Sequence, residues 1–173
     1  MDSLRYPIGP FEPEHSPAPE QRALRIRELA AIVPDLRLTV QCLTEEQLDT
    51  PYRPGGWTVR QVVHHLADND MNAFFRFKRG LTEDRPAVSS YREELWAELA
   101  DYASPIDSSL LLLEAIHSRF MVLLRSLQPG DFVRTFTSPT HGEMSLDIAV
   151  QRFIWHNRHH LAQIVSLKER SGW

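Results

Sequence analysis

The chain has 173 residues, of which 42% are hydrophobic, and a formal net charge of −4. This length is enough for one domain with a substantial core, and the slightly acidic balance excludes the basic surface that attracts nucleic acids or anionic membranes. Since no apolar run approaches the ~20 residues that a membrane span needs, we expect neither a nucleic-acid nor a membrane partner.

The N-terminal region and the cysteine content indicate the compartment. Residues 1–9 contain neither the basic nor the apolar region of an export signal, so we expect a cytoplasmic protein. The single cysteine, Cys42, excludes an internal disulfide and suits a reducing environment. Because the neighbours of Cys42 are apolar, we interpret it as a packing residue and not as a nucleophile.

An extended arm is predicted to precede the helices. Prolines recur up to position 19, and they exclude a regular helix there. The chain therefore divides into a Pro-rich N-terminal arm, residues 1–19, and a single domain, residues 20–173. A first helix is expected from about Pro19 to Leu43, in which Pro34 is a candidate kink.

Two capping boxes mark the next helix starts. The first, Thr44–Gln47, predicts a short turn of helix, and the second, Thr58–Gln61, predicts a long helix to about Leu81. Residues 82–103 have a mixed pattern and form a long crossover, with one short helix expected around 91–99.

Two further long helices follow the crossover. Ser104–Pro105 is the expected N-cap and first turn of a third helix, which Pro129–Gly130 ends. Residues 131–144 predict a small β excursion that contains Val133, Phe136 and Met144, and Ser145 opens a last helix that runs nearly to Gly172. Four long helices with one long crossover, between helices 2 and 3, predict an all-α four-helix bundle.

The last helix carries the pattern that is most informative about function. Residues four apart share a helix face, so His156 and His160 lie together on the apolar, core-facing side. His159 lies to one side of that face, and Asn157 and Arg158 point elsewhere. Two imidazoles aimed at one point are what a transition metal needs from a helix.

A third histidine is expected from the second helix. His65 lies at the edge of the apolar stripe of this helix, beside Asn69 and Arg76, whereas His64 lies on nearly the opposite side. Two ligands from one helix and one from a facing helix can build a metal site in a bundle. The spacing therefore favours His65 over His64, and it favours a metal site over a purely structural cluster.

The remaining histidines carry weaker signals. His117 shares a face with apolar residues of the third helix, which is typical of a hydrogen-bonded core histidine. The alternative is a group beside the metal that supports a ligand or faces the substrate. His15 and His141 lie in loops and give no indication of function.

Histidine ligands need an acceptor for the second ring N–H, and the candidates are backbone carbonyls and three side chains: Asp68, Asp70 and Gln163. Asp70 falls near the apolar stripe of the second helix, which is consistent with a supporting role. Three arginines could hold a carboxylate or another anion at the mouth of the site, or could be ordinary solvated charges: Arg53, Arg60 and Arg76.

Two longer motifs carry a family resemblance. The segments Pro51–Asp68 and Trp155–His160 closely resemble the YfiT branch of the DinB-like superfamily, and Tyr6–Gly9 fits it as well. The resemblance spans almost the whole chain. It implies a four-helix bundle that holds one divalent metal, zinc or nickel, on three histidines.

The resemblance also implies an activity. The ligand positions of the family match His65, His156 and His160, the same three that periodicity selects. Proteins of this branch are labelled metal-dependent hydrolases, cytoplasmic and homodimeric, with a small-molecule substrate. Relatives in the wider superfamily are S-transferases that use low-molecular-weight thiols such as bacillithiol.

The ligand set leaves two reactions open. Three neutral imidazoles leave a metal its double positive charge and an open position, which lowers the pKa of water to ~7 and supports hydrolysis. The same position could bind and deprotonate a thiol for attack on an electrophile. Hydrolysis comes first because the family label favours it, although no glutamate stands beside the histidine pair as a general base.

Two interpretations without catalysis also stay open: a metal-dependent binding module, and a metal that only staples the helices. The last helix carries further apolar residues away from its histidines, so it is apolar nearly all round: Ile154, Trp155, Leu161 and Val165. A helix of this kind is central or buried against a partner, and we expect a homodimer.

Overall fold

The structure is a computed structural model that describes residues 3–173. Within this range the chain forms six α-helices, one 3₁₀ helix and a two-stranded antiparallel sheet. The elements are α1 (Pro19–Val40), α2 (Glu45–Leu48), α3 (Val59–Thr82), α4 (Glu93–Trp96), the 3₁₀ helix (Ala100–Ala103), α5 (Asp107–Ser126), β1 (Thr135–Ser138), β2 (Gly142–Ser145) and α6 (Leu146–Ser171).

Side-chain caps set where the long helices begin. The Thr58 hydroxyl accepts a hydrogen bond from the Gln61 N–H, and Gln61 Oε1 accepts one from the Thr58 N–H, so α3 begins at a complete capping box. The Ser145 hydroxyl accepts a bond from the backbone N–H of Ile148 at the start of α6. Both starts agree with the predictions from sequence.

The four long helices pack as the predicted four-helix bundle. α3 packs against α5 and α6, and α1 packs against the same two helices, so α1 and α3 occupy opposite corners. The connection from α3 to α5 is the long crossover and contains α4. α3 and α6 are therefore neighbours, and residues on their inner faces meet.

The two helices run antiparallel and approach closely at one end. Asp70 of α3 meets Asn157 of α6, whereas Gly80, farther along α3, meets Leu146 at the start of α6. A Cβ added at Gly80 would lie 2.8 Å from Leu146 Cδ2, so any larger residue would require the Leu146 side chain to move.

A buried polar layer divides the core into two apolar clusters. α3 contributes Leu66 to one cluster and Phe77 to the other, and α5 and α6 are divided in the same way. Asp70, His117 and Asn157 lie between the clusters and are buried. Because buried polar groups need partners, this layer constrains how the three helices pair.

The arm lies along α6. The Glu14 N–H donates to Gln151 Oε1, and Gln151 Nε2 donates back to the Glu14 carbonyl, both at 2.9 Å. The ring of Phe11 packs against that of Trp155, with 5.8 Å between centroids. Much of the apolar outer face of α6 is thus covered by the chain itself.

Three local predictions are wrong. α5 begins at Asp107 and not at Ser104–Pro105, because the Ser104 carbonyl accepts bonds from α3 side chains instead of starting the helix. Cys42 is exposed just beyond the end of α1, so it is not a packing residue. Val133, expected in the β excursion, is exposed and precedes β1.

None of the helices within residues 3–173 combines the length and the apolar character that crossing a bilayer requires.

Candidate metal centre

Three histidine side chains from α3 and α6 converge at one point. His156 and His160 are one turn apart on α6, His65 faces them from α3, and one ring nitrogen of each lies within 4.8 Å of the other two. The Nε2 atoms of His65 and His156 are 3.2 Å apart. The structure thus brings together the three histidines that the sequence selects.

The surroundings keep the three rings neutral at pH 7. Burial lowers the pKa of His65 to about 3. Burial, and then the charges of neighbouring histidines, place the pKa values of His156 and His160 well below the usual 6.5. Because a neutral imidazole keeps a nitrogen lone pair, three convergent rings suit a divalent cation of the kind that imidazole prefers.

Gln163 orients His160. The Nδ1–H of His160 donates to Gln163 Oε1 at 2.8 Å, which leaves Nε2 as the nitrogen available to a cation. The Gln163 Nε2 group donates to the Arg5 carbonyl and to His159 Nε2, each at 2.9 Å. Both ends of this amide are used, so its orientation is fixed. Gln163 thus occupies the position predicted for an acceptor.

Asn69 lies in the corresponding place beside His156. Its Nδ2 atom is 3.2 Å from His156 Nδ1 and 3.2 Å from Asp70 Oδ1. A flip of the amide would let the Asn69 oxygen accept from a protonated Nδ1, but it would also break the bond from Nδ2 to Asp70 Oδ1. In the observed orientation Asn69 therefore donates to both His156 and Asp70.

His65 is held by packing instead of hydrogen bonds at its outer nitrogen. Its Nδ1 atom is buried without a partner among residues 3–173, and its ring lies 4.5 Å from the ring of Trp57. An unpaired buried nitrogen costs free energy. Packing against Trp57 thus leaves Nε2, the nitrogen 3.2 Å from His156 Nε2, as the atom of His65 that faces the centre.

Asp70 lies near the centre but contacts none of its three rings. Its Oδ2 accepts a bond from His117 Nε2 at 2.6 Å, and its Oδ1 accepts one from Asn157 Nδ2 at 2.9 Å. Its link to His156 runs through Asn69. His117 is thus a hydrogen-bonded core histidine, whereas Asn157, expected to point elsewhere, lies inside the bundle.

The three histidines open into a cavity of about 590 Å³. This volume is in the range that holds a small organic molecule. The arm, the loop before α3, α3 itself, the β1–β2 hairpin and α6 all contribute walls. One part of the wall is apolar and is formed by Ala73, Phe77, Phe120, Phe136, Met144 and Phe153.

The arginines predicted at the mouth have different positions. Arg53 and Arg76 line the cavity, but Arg60 does not. Arg60 is buried and forms ion pairs with Glu45 at 2.5 Å and Asp49 at 2.7 Å. The prediction for Arg60 is wrong because its charge is used to hold α2 against α3.

Two other polar residues of α3 fasten the crossover and α5. The Ser109 hydroxyl lies 2.7 Å from His64 Nδ1, and His64 Nε2 donates to the Ser104 carbonyl at 3.0 Å. Asp68 Oδ2 accepts a bond from the Tyr102 hydroxyl at 2.7 Å. Neither His64 nor Asp68 has a hydrogen bond to the three histidines. The prediction that Asp68 could accept the second ring N–H of a histidine ligand is therefore wrong.

Sequence reasoning missed two groups in the cavity wall. Arg152 precedes His156 by one turn, and this spacing could have indicated that both face the same way. His141, interpreted as a loop residue without function, lines the cavity from the turn between β1 and β2. Its position depends on how the hairpin packs, which no short-range pattern predicts.

Comparisons with known proteins cover the whole chain. The DinB superfamily matches residues 12–164. Relatives from Bacillus cereus (strain ATCC 10987 / NRS 248), Bacillus mycoides (strain KBAB4) and Bacillus anthracis (strain CDC 684 / NRRL 3495) are each 46% identical over 173 residues, with 100% of both chains covered. All three carry the provisional name of metal-dependent hydrolase.

Among solved structures, YfiT from Bacillus subtilis is similar with a TM-score of 0.96, 45% sequence identity and 99% of each chain covered. YfiT is described, again provisionally, as a metal-dependent hydrolase with an unusual four-helix bundle topology. This similarity agrees with the arrangement of α1, α3, α5 and α6.

Proposed function

The chain belongs to the DinB superfamily, and we propose that it is a metal-dependent hydrolase whose divalent ion is held by His65, His156 and His160. The observation that carries the proposal is the convergence of three neutral imidazoles, one nitrogen of each within 4.8 Å of the others. The names of the relatives and the description of YfiT support the same activity.

The residues around the metal centre would have separate roles. A divalent cation on three neutral imidazoles supplies Lewis acidity, which brings the ionisation of water into the neutral pH range at ~7. Gln163 holds the His160 ring in one tautomer, and Asn69 sits at the outer nitrogen of His156. Trp57 covers the His65 ring and limits the access of bulk water to it.

Thiol transfer is the second candidate, and one observation favours it. The carboxylates in the cavity wall within residues 3–173 belong to Glu93 and Glu94, and neither has a hydrogen bond to the three histidines. Water attack benefits from a positioned general base, whereas a thiol that a metal has deprotonated needs none. A low-molecular-weight thiol is therefore the alternative nucleophile.

Metal analysis of the purified protein tests the site. We expect about one divalent ion per chain, zinc or nickel, and its loss in His65→Ala, His156→Ala and His160→Ala, because two imidazoles bind far more weakly than three. His15→Ala, which removes an exposed histidine of the arm, is the matched control and should keep the metal. Stoichiometric metal in all three variants of the centre would exclude the assigned ligands.

Two parallel assays separate the reactions. The metal-loaded protein is offered esters and amides in one assay, and a thiol with a small electrophile in the other. Hydrolysis that stops on chelation supports the first proposal, whereas metal-dependent thiol consumption without hydrolysis supports the second. If neither assay shows turnover and chelation lowers the unfolding temperature, the ion only staples the helices.

We also propose a homodimer, but the apolar outer face of α6 supports it less strongly than the sequence suggests. Ile154 is buried within the chain, and Phe11 of the arm packs on Trp155. The apolar surface of α6 is thus largely accounted for by contacts within one protomer. Light scattering of the purified protein measures the assembly directly.

A further inference from the structure

Two arginines in the cavity wall have no carboxylate partner. Arg76 of α3 and Arg152 of α6 line the same cavity as the three histidines, and both are half-buried. Neither forms an ion pair within residues 3–173, and the Nε atom of Arg76 is buried without any hydrogen-bond partner. Arg152 instead packs its guanidinium 5.3 Å from the Phe11 ring centroid. Burying unpaired charge in this way is unfavourable unless another group compensates for it.

The charges of Arg76 and Arg152 both reach the same part of the cavity. The charges of Arg152 and Arg76 both disfavour protonation of His141 and, after burial, lower its pKa. Arg152 also precedes His156 by four residues of α6, or ~6 Å along the helix axis. A group bound between the two arginines would therefore lie beside the three histidines.

Two neutral donors in the same wall are also unused. The Tyr91 hydroxyl and the Trp155 Nε1–H are buried without a hydrogen-bond partner, and both side chains line the cavity. Burial is the main cause that raises the pKa of Tyr91 far above its usual 10, so the hydroxyl keeps its proton and can donate. Each such donor needs an acceptor that residues 3–173 do not provide.

The balance of charge in the wall is opposite to that of the chain. Four arginines and two glutamates line the cavity, although the whole chain has a net charge of −4. Of the two glutamates, Glu94 is tied to Arg92 outside the wall, whereas the charge of Glu93 acts on Arg152. Glu93 is exposed and forms no ion pair within residues 3–173, so it offsets the charge of Arg152 only in part and is not among the groups that shift the pKa of Arg76.

We propose that Arg76 and Arg152, together with the Tyr91 hydroxyl and the Trp155 indole N–H, form a subsite for the oxyanion group of a small organic substrate. A carboxylate and a phosphate share the required chemistry, because both accept paired bonds from guanidinium groups. The aromatic wall beside the subsite would contact an apolar segment of the same molecule. The inference depends on the proposed function in one respect only, namely that the reacting bond lies at the three histidines.

Calorimetric titration with three small probes tests the subsite. Succinate and inorganic phosphate are titrated separately into the purified protein before and after removal of metal, with uncharged succinamide as the control probe. We expect at least one anion to bind with or without metal, and succinamide not to bind. The anion that binds identifies the carboxylate or the phosphate as the preferred group.

The variants Arg76→Gln and Arg152→Gln should each weaken that binding by about tenfold or more, since each removes a charged donor. Arg119→Gln removes the same charge from the exposed face of α5, outside the cavity, and should bind the anion as the original chain does. Circular dichroism confirms that each variant is folded. Equal anion affinity in the original chain and in both cavity variants, including no binding in any of them, would overturn the inference.

Metal content measured on the same samples separates this inference from the proposed function. Arg76→Gln and Arg152→Gln should keep their metal, because neither residue contacts the three histidines. His160→Ala should lose the metal and still bind the anion after metal removal. If the metal content is as expected but the anion does not bind as expected, the subsite is wrong and the metal centre is unaffected. If the anion binds as expected but the metal is absent, the metal centre is wrong and the subsite is unaffected.

Discussion

Gln163 shows how one amide can determine the chemistry of a histidine. Its oxygen accepts the Nδ1 proton of His160, while its nitrogen donates to the Arg5 carbonyl and to His159. The oxygen cannot be exchanged for the nitrogen without breaking all three bonds. His160 is thereby kept as the tautomer whose Nε2 lone pair faces away from the amide.

Replacement of Gln163 should weaken metal binding without removing a ligand. We expect Gln163→Leu to lower the affinity for zinc by about 10- to 100-fold, the range found when the outer partner of a histidine ligand is lost. Gln163→Glu keeps an acceptor for His160, so its affinity for zinc should fall by less. Competition with a chromogenic chelator measures both, and equal affinity in Gln163→Leu and the original chain would contradict this role.

The histidines themselves were predictable, because helical periodicity fixes which residues share a face. His65, His156 and His160 follow from spacing alone. Periodicity could not show that Asn157 is buried, because its partner Asp70 lies on another helix. The side-chain bonds that orient a ligand depend on distances across the bundle, and a single sequence does not contain them.

At the scale of the elements, the buried polar layer fixes the relative positions of α3, α5 and α6. Asp70 accepts one bond from His117 on α5 and one from Asn157 on α6, so a single carboxylate joins three helices. A slip of any helix by one turn would leave these groups buried and unpaired. The layer also lies beside the metal centre, which therefore rests on a constrained part of the bundle.

Removal of the Asp70 carboxylate should destabilise the fold strongly. We expect Asp70→Ala to lower the free energy of unfolding by about 3 kcal/mol or more, because two buried donors lose their acceptor. Asp70→Asn keeps one acceptor oxygen, so its free energy of unfolding should fall by less. Asp68→Ala, which removes a single hydrogen bond on the same helix, is the control for urea unfolding. A loss in Asp70→Ala no larger than in Asp68→Ala would be inconsistent with this role.

The long helices could be predicted because their signals are local. Capping boxes and periodicity placed α3 and α6 within one or two residues of their observed ends. The start of α5 could not be predicted, because the Ser104 carbonyl is bonded to Arg60 and His64. The crossover and the hairpin likewise depend on pairing between distant segments, such as the bridge between Ala87 and Thr137.

At the scale of the whole molecule, six histidines resist protonation, five of them buried or half-buried and His141 exposed in the turn between β1 and β2. Burial is the first cause that lowers the pKa in each of six cases: His64, His65, His141, His156, His159 and His160. In the unfolded chain the same residues titrate near pH 6.5. Below that pH the unfolded state binds more protons than the folded state, so its relative free energy falls.

The metal-free protein should therefore lose stability on mild acidification. The contribution of these histidines is fully present above about pH 6.5 and declines as the pH falls, by about 1.4 kcal/mol per pH unit for each proton taken up. Urea unfolding between about pH 7.5 and 5.5 measures the slope; the raised pKa values of Asp68 and Glu93 oppose it, because they make the folded state bind more protons. His64→Gln should show a shallower slope, and a flat profile in the original chain would refute the prediction.

The arm and the metal centre meet at Gln163, which bonds the Arg5 carbonyl on one side and His160 on the other. Two events that depend on one group are thermodynamically linked, and the linkage is equal in both directions. Seating of the arm should tighten the hold on a cation by the same factor by which the cation tightens the seating of the arm. We therefore expect proteases to cleave residues 3–9 faster in metal-stripped protein than in loaded protein, so that the rate of cleavage in the arm reports the occupancy of the metal centre.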